Sequence, residues 1–282
     1  MQKTAKQDWV IKSKNNWLNI DFISAWEYKD LFVLFIKRDF VAFYKQTILG
    51  PLWFFLQPIL TMFVFAFVFG KIGNISTNNL PKPLFYLPGI ICWNYFAECI
   101  LKNSTVFRDN ANLFSKVYFP RIILPMSIVF SSMVRFFIQQ FLFVIILIIY
   151  SFNGFKIHIN TTILLLPILL ILMAALGQGI GLIISSLTTK YRDLALLVNF
   201  GVQLLMFSTT VAYPLSAAPQ NFKFWIALNP MTTILETFRY SFLGQGQFSV
   251  SALIYTSILT LVIFFLGIIL FSKVEKDFID TI

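Results

Sequence analysis

Apolar residues run along the chain in six long stretches, at about 51–70, 84–101, 122–150, 161–187, 194–212 and 250–271, with polar segments between them. About 18 or more apolar residues are enough for a helix to cross a hydrocarbon core. The pattern therefore predicts an all-α polytopic membrane protein with six transmembrane helices. Two further segments keep a helical period without the length to span. From Lys29 to Lys45, the charged Asp30, Lys37, Arg38 and Lys45 follow one face, while Leu31, Leu34, Phe35, Val41 and Phe43 follow the other. This predicts an interfacial amphipathic helix over 30–47, with its apolar side in the acyl boundary. Gly50-Pro51 then turns the chain into the membrane. Such a helix is either a loosely attached anchor or a cytoplasmic collar around a translocation path, with Arg38, Phe40, Phe43 and Tyr44 as its candidate residues.

The second segment, 213–247, is too long for a structureless loop. Asn229-Pro230 reads as an N-cap followed by proline at the first helical position. Met231, Ile234, Leu235, Phe238 and Phe242 form one apolar face after it, and Gly244 ends the helix. Phe222, Trp225 and Ile226 mark a shorter apolar piece upstream. Neither piece can span, so the segment predicts a re-entrant outer helical hairpin between spans five and six. Glu236 and Arg239 on its second arm are spaced to pair at i, i+3.

Composition narrows the class. Hydrophobic residues make up 58% of the chain, aromatics 18% and charged residues only 12%, with a mean hydropathy of +0.78. Soluble domains carry roughly 25% charged residues, so a soluble enzyme, a disordered chain and a disulfide scaffold are excluded. The net charge of +10 is unevenly placed. With six spans, sixteen of the 22 Lys and Arg fall on the side of both termini, the 102–121 loop and the 188–193 loop. Five fall on the other side and Arg135 inside the third span. That bias puts both termini, 1–29 and 273–282, in the cytoplasm and leaves no case for nucleic acid. Met1–Asn19 has no apolar core followed by a small-residue cleavage site, so the first span is expected to act as the insertion signal. Cys92 and Cys99 lie two helical turns apart, about 10 Å, too far for a disulfide, and read as small apolar residues.

Ionisable residues inside the membrane are costly and mark candidate sites. Glu98 and Arg135 are the two read there. Glu98 pairs either with Lys102 one turn on or with Arg135 across helices. Two such residues make no proton relay, and the single histidine, His158, falls in an outer loop. Uncharged polar stripes say more. Asn199, Gln203, Met206, Thr210 and Tyr213 share one face of span five; Trp53, Gln57 and Thr61 one face of span one; Ser131, Arg135 and Gln139 one face of span three. Each stripe alone is adequate as interhelical glue; three together point to a polar substrate path along Trp53, Gln57, Thr61, Asn199, Gln203, Thr210 and Tyr213. Gly177, Gly179 and Gly181 follow no strand and read as a close-packing helix face, not a dinucleotide loop. Gly70-Lys71 lacks the rest of a phosphate loop, and no metal cluster or catalytic nucleophile stands out. Enzyme motifs are thus mostly absent and no cofactor is expected on this chain; if it uses ATP, the ATPase is another chain. In the 102–121 loop, Arg108, Asp109 and Lys116 alternate with Leu113, Phe114, Tyr118 and Phe119. Large aromatics there need a cover, either a soluble partner docking on Arg108, Leu113, Phe114, Lys116 and Tyr118, or the N-terminal interfacial helix.

Four ordered blocks carry a family resemblance. Lys37-Arg38-Asp39-Phe40, Tyr44-Lys45-Gln46, Leu49-Gly50-Pro51-Leu52-Trp53 and Gln57-Pro58 resemble the opening of type 2 ABC-exporter permeases of the polysaccharide branch, the Wzm-like subunits that export O-antigen, capsule or teichoic acid. Asn112-Leu113-Phe114, Lys116-Val117-Tyr118-Phe119-Pro120-Arg121 and Leu124-Pro125 resemble the family's coupling helix and the start of span three. Tyr191-Arg192-Asp193 resembles its turn before span five, and Asn229-Pro230 with Glu236 and Arg239 its outer hairpin. The resemblance covers about 30–272 and implies one type 2 ABC transmembrane domain there. Thr209-Thr210-Val211-Ala212-Tyr213-Pro214 stands where relatives commonly carry Ser-Pro-Val-x-Tyr-Pro, which predicts a straighter end to span five. The resemblance implies a homodimer resting on two cytoplasmic ATPase subunits that bind ATP and Mg. Such an assembly moves a lipid-linked glycan outward across the bacterial cytoplasmic (inner) membrane, with an outer gate at Trp225, Asn229, Pro230, Glu236 and Arg239. Aromatic platforms and uncharged polar groups suit a sliding sugar chain. The other readings are a type 2 exporter of a small lipid or drug-like molecule, and a membrane-embedded transferase acting on lipid-linked sugar. The transferase reading lacks a set of catalytic acids facing one pocket.

Overall fold

The computed structural model describes residues 27–45, 47–114, 116, 119–191 and 193–279, without the side chains of Phe43 and 276–279. Every regular element among the described residues is helical. In chain order the α-helices are α1 (Lys29–Tyr44), α2 (Trp53–Phe67), α3 (Lys82–Ser104), the single turns α4 (Val106–Asp109) and α5 (Ala111–Phe114), α6 (Ile123–Phe152), α7 (Leu166–Thr188), α8 (Leu194–Phe207), α9 (Gln220–Leu228), α10 (Pro230–Leu243) and α11 (Val250–Ile279). Among the described residues, five helical stretches are long and apolar enough to cross a membrane: Gly50–Ile72, Lys82–Ser104, Ile123–Phe152, Thr161–Thr188 and Val250–Glu275. Leu194–Phe207 is apolar but shorter.

The buried centre is α3, against which α2, α6 and α7 pack. Close approach of α7 depends on missing side chains. A Cβ on Gly177 would stand 2.8 Å from the Cβ of Cys99, and one on Gly181 2.6 Å from the Cβ of Asn103. Small residues thus let two backbones meet, as the glycine pattern predicted. Cys92 and Cys99 are free, buried thiols, and Cys99 lies at this contact. At one end of the pair, the Thr188 hydroxyl donates to the Ser104 carbonyl at 2.6 Å.

α1 lies along α6, with Phe32 edge-on to Phe130 at 5.3 Å. Gly50, at φ +52°, makes the turn into α2 in a conformation other residues resist. Phe54 then slots between Phe40, stacked at 5.3 Å, and Tyr44, edge-on at 6.3 Å. The apolar face of α1 is divided: Phe35 is buried, whereas Leu34 is exposed.

The loop after α3 packs inward. Phe107 stacks on Phe271 of α11 at 4.5 Å, and Phe119 sits 5.8 Å from Phe35 and 5.9 Å from Phe114. Arg121 covers Phe114 at 5.2 Å and donates to the Glu275 carbonyl at 2.8 Å. Most of the aromatic cover this loop needs therefore comes from α1 and α11.

One expectation is corrected at the end of α8. In place of a straighter helix reaching 212, the α-helix stops at Phe207 and turns fill 208–213. Ser208 and Thr209 hydroxyls donate to the carbonyls of Leu205 and Met206 at 2.8 and 2.7 Å, and the Tyr213 hydroxyl to that of Phe207 at 3.1 Å. Short hydroxylated side chains compete for helix carbonyls, so Ser208-Thr209 ends the helix without proline. Beyond it, α9 is exposed, while α10 is buried along nearly its whole length. Asn229 accepts from the Met231 amide at 3.0 Å, and Gly244 at φ +66° closes α10, as the capping pattern predicted.

Candidate functional site

A cavity of about 640 Å³ opens between α2, α3, α6 and α8. It draws together the central part of all three polar stripes: Gln57 and Thr61 from α2, Arg135 and Gln139 from α6, and Asn199 and Gln203 from α8. Phe54, Trp93 and Phe136 supply aromatic wall, and Glu98 and Lys102 come from α3. The periodicities explain this convergence, because residues three and four apart share one helix face. Thr61 and Asn199 each donate back to the carbonyl one turn earlier, at 3.0 and 2.8 Å, which steadies their side chains at the wall.

Both pairings read for Glu98 occur together. Its Oε1 accepts from Lys102 Nζ at 2.8 Å and from Arg135 Nη2. Ser132 Oγ lies 3.3 Å from the same Arg135 nitrogen. The side chains are 22% exposed for Glu98, 38% for Lys102 and 7% for Arg135. An arginine this buried without a counter-charge costs several kcal/mol; the carboxylate offsets that cost and leaves the trio with one positive charge at the cavity wall.

The remaining path residues lie elsewhere. Trp53 stands at the start of α2, outside the lining. Tyr213 lines a second cavity of about 450 Å³ with Phe222, Trp225 and Asn229, and Phe207 borders both cavities. In Tyr213, burial raises the phenol pKa above its ordinary value. Thr210 is fully buried, and its carbonyl accepts from Arg239 Nη1.

Arg239 is the charge whose burial the sequence reading missed. It is 2% exposed, lies 3.9 Å over the Phe85 ring and donates to the Val211 carbonyl at 3.1 Å. Gly89 makes room: a Cβ there would come 2.8 Å from the guanidinium. Glu236 completes the set, with Oε1 at 3.5 Å from Arg239 Nη1 and accepting from the Leu215 amide at 3.4 Å, while Oε2 accepts from the Gln247 amide at 3.2 Å. Burial lowers the Arg239 pKa, and Glu236 draws it back up. A cation meeting the carbonyls just past a helix end also complements the helix dipole. The i, i+3 spacing announced the pair; nothing in the sequence announced that α8 would stop short and present carbonyls to it. Trp225 is exposed on α9, and Asn229-Pro230 forms the joint between α9 and α10.

On α1, Phe40 and Tyr44 brace Phe54 at the cavity wall, and Arg38 pairs with Asp39 at 2.8 Å. The Phe43 side chain lies outside the described residues. In the loop after α3, Arg108 and Lys116 are exposed, Leu113 is half-buried and Phe114 is buried. Phe114 packs against Phe107 and Phe119. Tyr118 and Arg192 lie outside the described residues.

Comparison with known proteins adds to this geometry. The family described as ABC-2 type transporter matches residues 30–243. The chain is 26% identical to the O-antigen export system permease protein RfbA of Klebsiella pneumoniae, over 89% of this chain and 94% of that one. A Myxococcus xanthus protein of the same description is 24% identical, over 91% and 97%. The polysialic acid transport protein KpsM of Escherichia coli is 24% identical, over 86% and 92%.

Proposed function

The chain belongs to the ABC-2 type transporter family, and from that premise we propose that it is the membrane permease subunit of an ATP-driven exporter of a lipid-linked polysaccharide. The observation that carries the reading is the cavity in which Gln57, Thr61, Asn199 and Gln203 meet Trp93 and Phe54. Sugars present hydroxyls and CH faces, so amides, hydroxyls and rings hold them without a fixed ionic bond. Relatives described as O-antigen and polysialic acid transporters favour this cargo over a small lipid or drug-like molecule.

Two copies of the chain face each other across these polar walls. Gln57, Asn199 and Gln203 are exposed in the single chain, and a second copy encloses them. Six crossings, with both termini in the cytoplasm of a bacterial inner membrane, fit the Lys and Arg bias. In support of a crossing by α8, Thr188 before it bonds Ser104, while Ser216 beyond it bonds Asn78 of the α2–α3 loop at 3.0 Å. α1 serves as the interfacial collar and α9–α10 as a re-entrant outer hairpin, with Trp225, Asn229, Pro230, Glu236 and Arg239 at the outer gate. The exposed Arg108 and Lys116 present a docking face to a separate ATPase, two copies per dimer, which carries ATP and Mg. Replacing Gln203 by Trp obstructs the cavity; cell-surface glycan per inserted copy then falls while ATPase assembly persists. Wild-type glycan levels in that variant refute the path.

A further inference from the structure

α1 spends its aromatic side on protein. Phe32 packs on Phe130 of α6, and the buried Phe35 packs on Phe119. What the helix leaves outward is a stripe of Leu34, Lys37, Arg38, Val41 and Lys45, spaced at i, i+3, i+4, i+7 and i+11 and therefore on one face. Leu34 and the three basic residues are exposed. Asp39 takes up part of the Arg38 charge at 2.8 Å, while Lys37 and Lys45 form no ion pair among the described residues. The turn that follows fixes where this stripe sits. The Thr47 amide donates to the Tyr44 carbonyl at 3.1 Å, and the Gly50 amide to the Thr47 carbonyl at 3.3 Å. Two such turns, each closing to less than about 7 Å, hold Lys45 close to Gly50, where the first stretch able to cross a membrane begins. Ile48, Leu49 and Leu52 are exposed along the same turn.

We propose that the outward stripe of α1 is a docking surface for anionic phospholipid headgroups, with Lys37 and Lys45 as its contacts and Ile48, Leu49 and Leu52 in the acyl boundary beneath. The inference rests on the reading of α1 as an interfacial helix, and it names the lipid that holds the helix there. Lipid is favoured over a protein occupant because the stripe runs straight into a spanning stretch. The sign of the charge selects the headgroup. Glu27 and Asp30 lie at the end of the helix away from Gly50, which leaves the membrane-proximal end basic. Long lysine stems reach past Leu34 and Val41 to the phosphates. Docking also steadies the large cavity, because Phe40 and Tyr44 of the same helix brace Phe54 at its wall.

The test uses the purified full chain in phosphatidylcholine nanodiscs, with a bimane fluorophore on Ala42→Cys beside the stripe. Ala42 is exposed, whereas Cys92 and Cys99 are buried and escape labelling. Phosphatidylglycerol or phosphatidylcholine carrying a nitroxide near the top of one acyl chain is added as quencher, with acrylamide as the aqueous probe. Each lysine at an anionic surface contributes roughly fivefold, so wild-type preference for phosphatidylglycerol is on the order of 25-fold. Lys37→Gln combined with Lys45→Gln brings it near parity, Lys37→Arg with Lys45→Arg keeps it, and high salt weakens it. Removing two exposed lysines elsewhere, by Lys71→Gln with Lys156→Gln, leaves it unchanged. Melting temperatures verify that the variants stay folded. Equal quenching by both lipids overturns the docking surface and leaves the interfacial helix standing. Quenching by acrylamide and by neither lipid refutes the interfacial helix itself. A lipid preference that survives the double glutamine variant, or ATPase co-purification lost in that variant without any lipid preference in the wild type, also overturns the proposal, the latter in favour of a protein partner.

Discussion

Glu98–Arg135 and Glu236–Arg239 are the same chemical pair in opposite surroundings. The first crosses from α3 to α6 at a cavity wall, shares its carboxylate with Lys102 and leaves Glu98 22% exposed. The second lies within α10, with both side chains almost completely buried and their hydrogen bonds beyond the pair made to backbone: Thr210 and Val211 carbonyls for the arginine, Leu215 and Gln247 amides for the glutamate. One pair borders the cavity, with Glu98 partly exposed to it. The other holds the end of α8, the 214–215 turn and the link to α11 in register. The comparison teaches that charge identity does not separate a working site from a structural clamp; what separates them is whether the partners are replaceable side chains or fixed backbone groups.

The largest effect is expected where the clamp is cut. Arg239→Met strands a buried carboxylate and the Thr210 and Val211 carbonyls, and should destabilise the chain by about 3–5 kcal/mol. Thermal unfolding in nanodiscs and the yield of inserted protein check this; a loss below that seen for Arg135→Met would reverse the comparison. Arg135→Met should be milder, about 1–2 kcal/mol, because Glu98 keeps Lys102 and faces the cavity. The smallest effect belongs to the exposed side of the coupling loop. Arg108→Glu combined with Lys116→Glu should change stability by less than about 0.5 kcal/mol, yet abolish co-purification with the ATPase. Retained assembly would assign the loop to internal packing only.

Much of the fold was legible because membrane helices announce themselves by length and apolarity. The caps of α10, its buried face of Met231, Ile234, Leu235, Phe238 and Phe242, and the α7 glycine contact all follow from local spacing. The cavity was legible too, since the polar stripes of α2, α6 and α8 are periodic. Long-range geometry was not. Thr210 and Tyr213 share a helical period with Gln203, but α8 ends at Phe207, and the two leave the stripe there. Nothing local told whether Phe114 would face a partner or Phe119. For Arg239 the sequence announced only Glu236 as a partner, because its other partners lie 28 and 29 residues upstream.

The central claim is that the polar cavity between α2, α3, α6 and α8 carries a glycan. Its most direct test is cell-surface polysaccharide per membrane-inserted copy in Gln203→Trp, with melting temperature and ATPase co-purification measured on the same preparations. Gln203 is exposed and lines the cavity, so the indole fills open space without disturbing packing. The account predicts surface glycan at about a tenth of wild type or less, a steric block exceeding the roughly 1 kcal/mol that a lost hydrogen bond would remove, with stability and assembly unchanged. Wild-type surface glycan in that folded, assembled variant would contradict it.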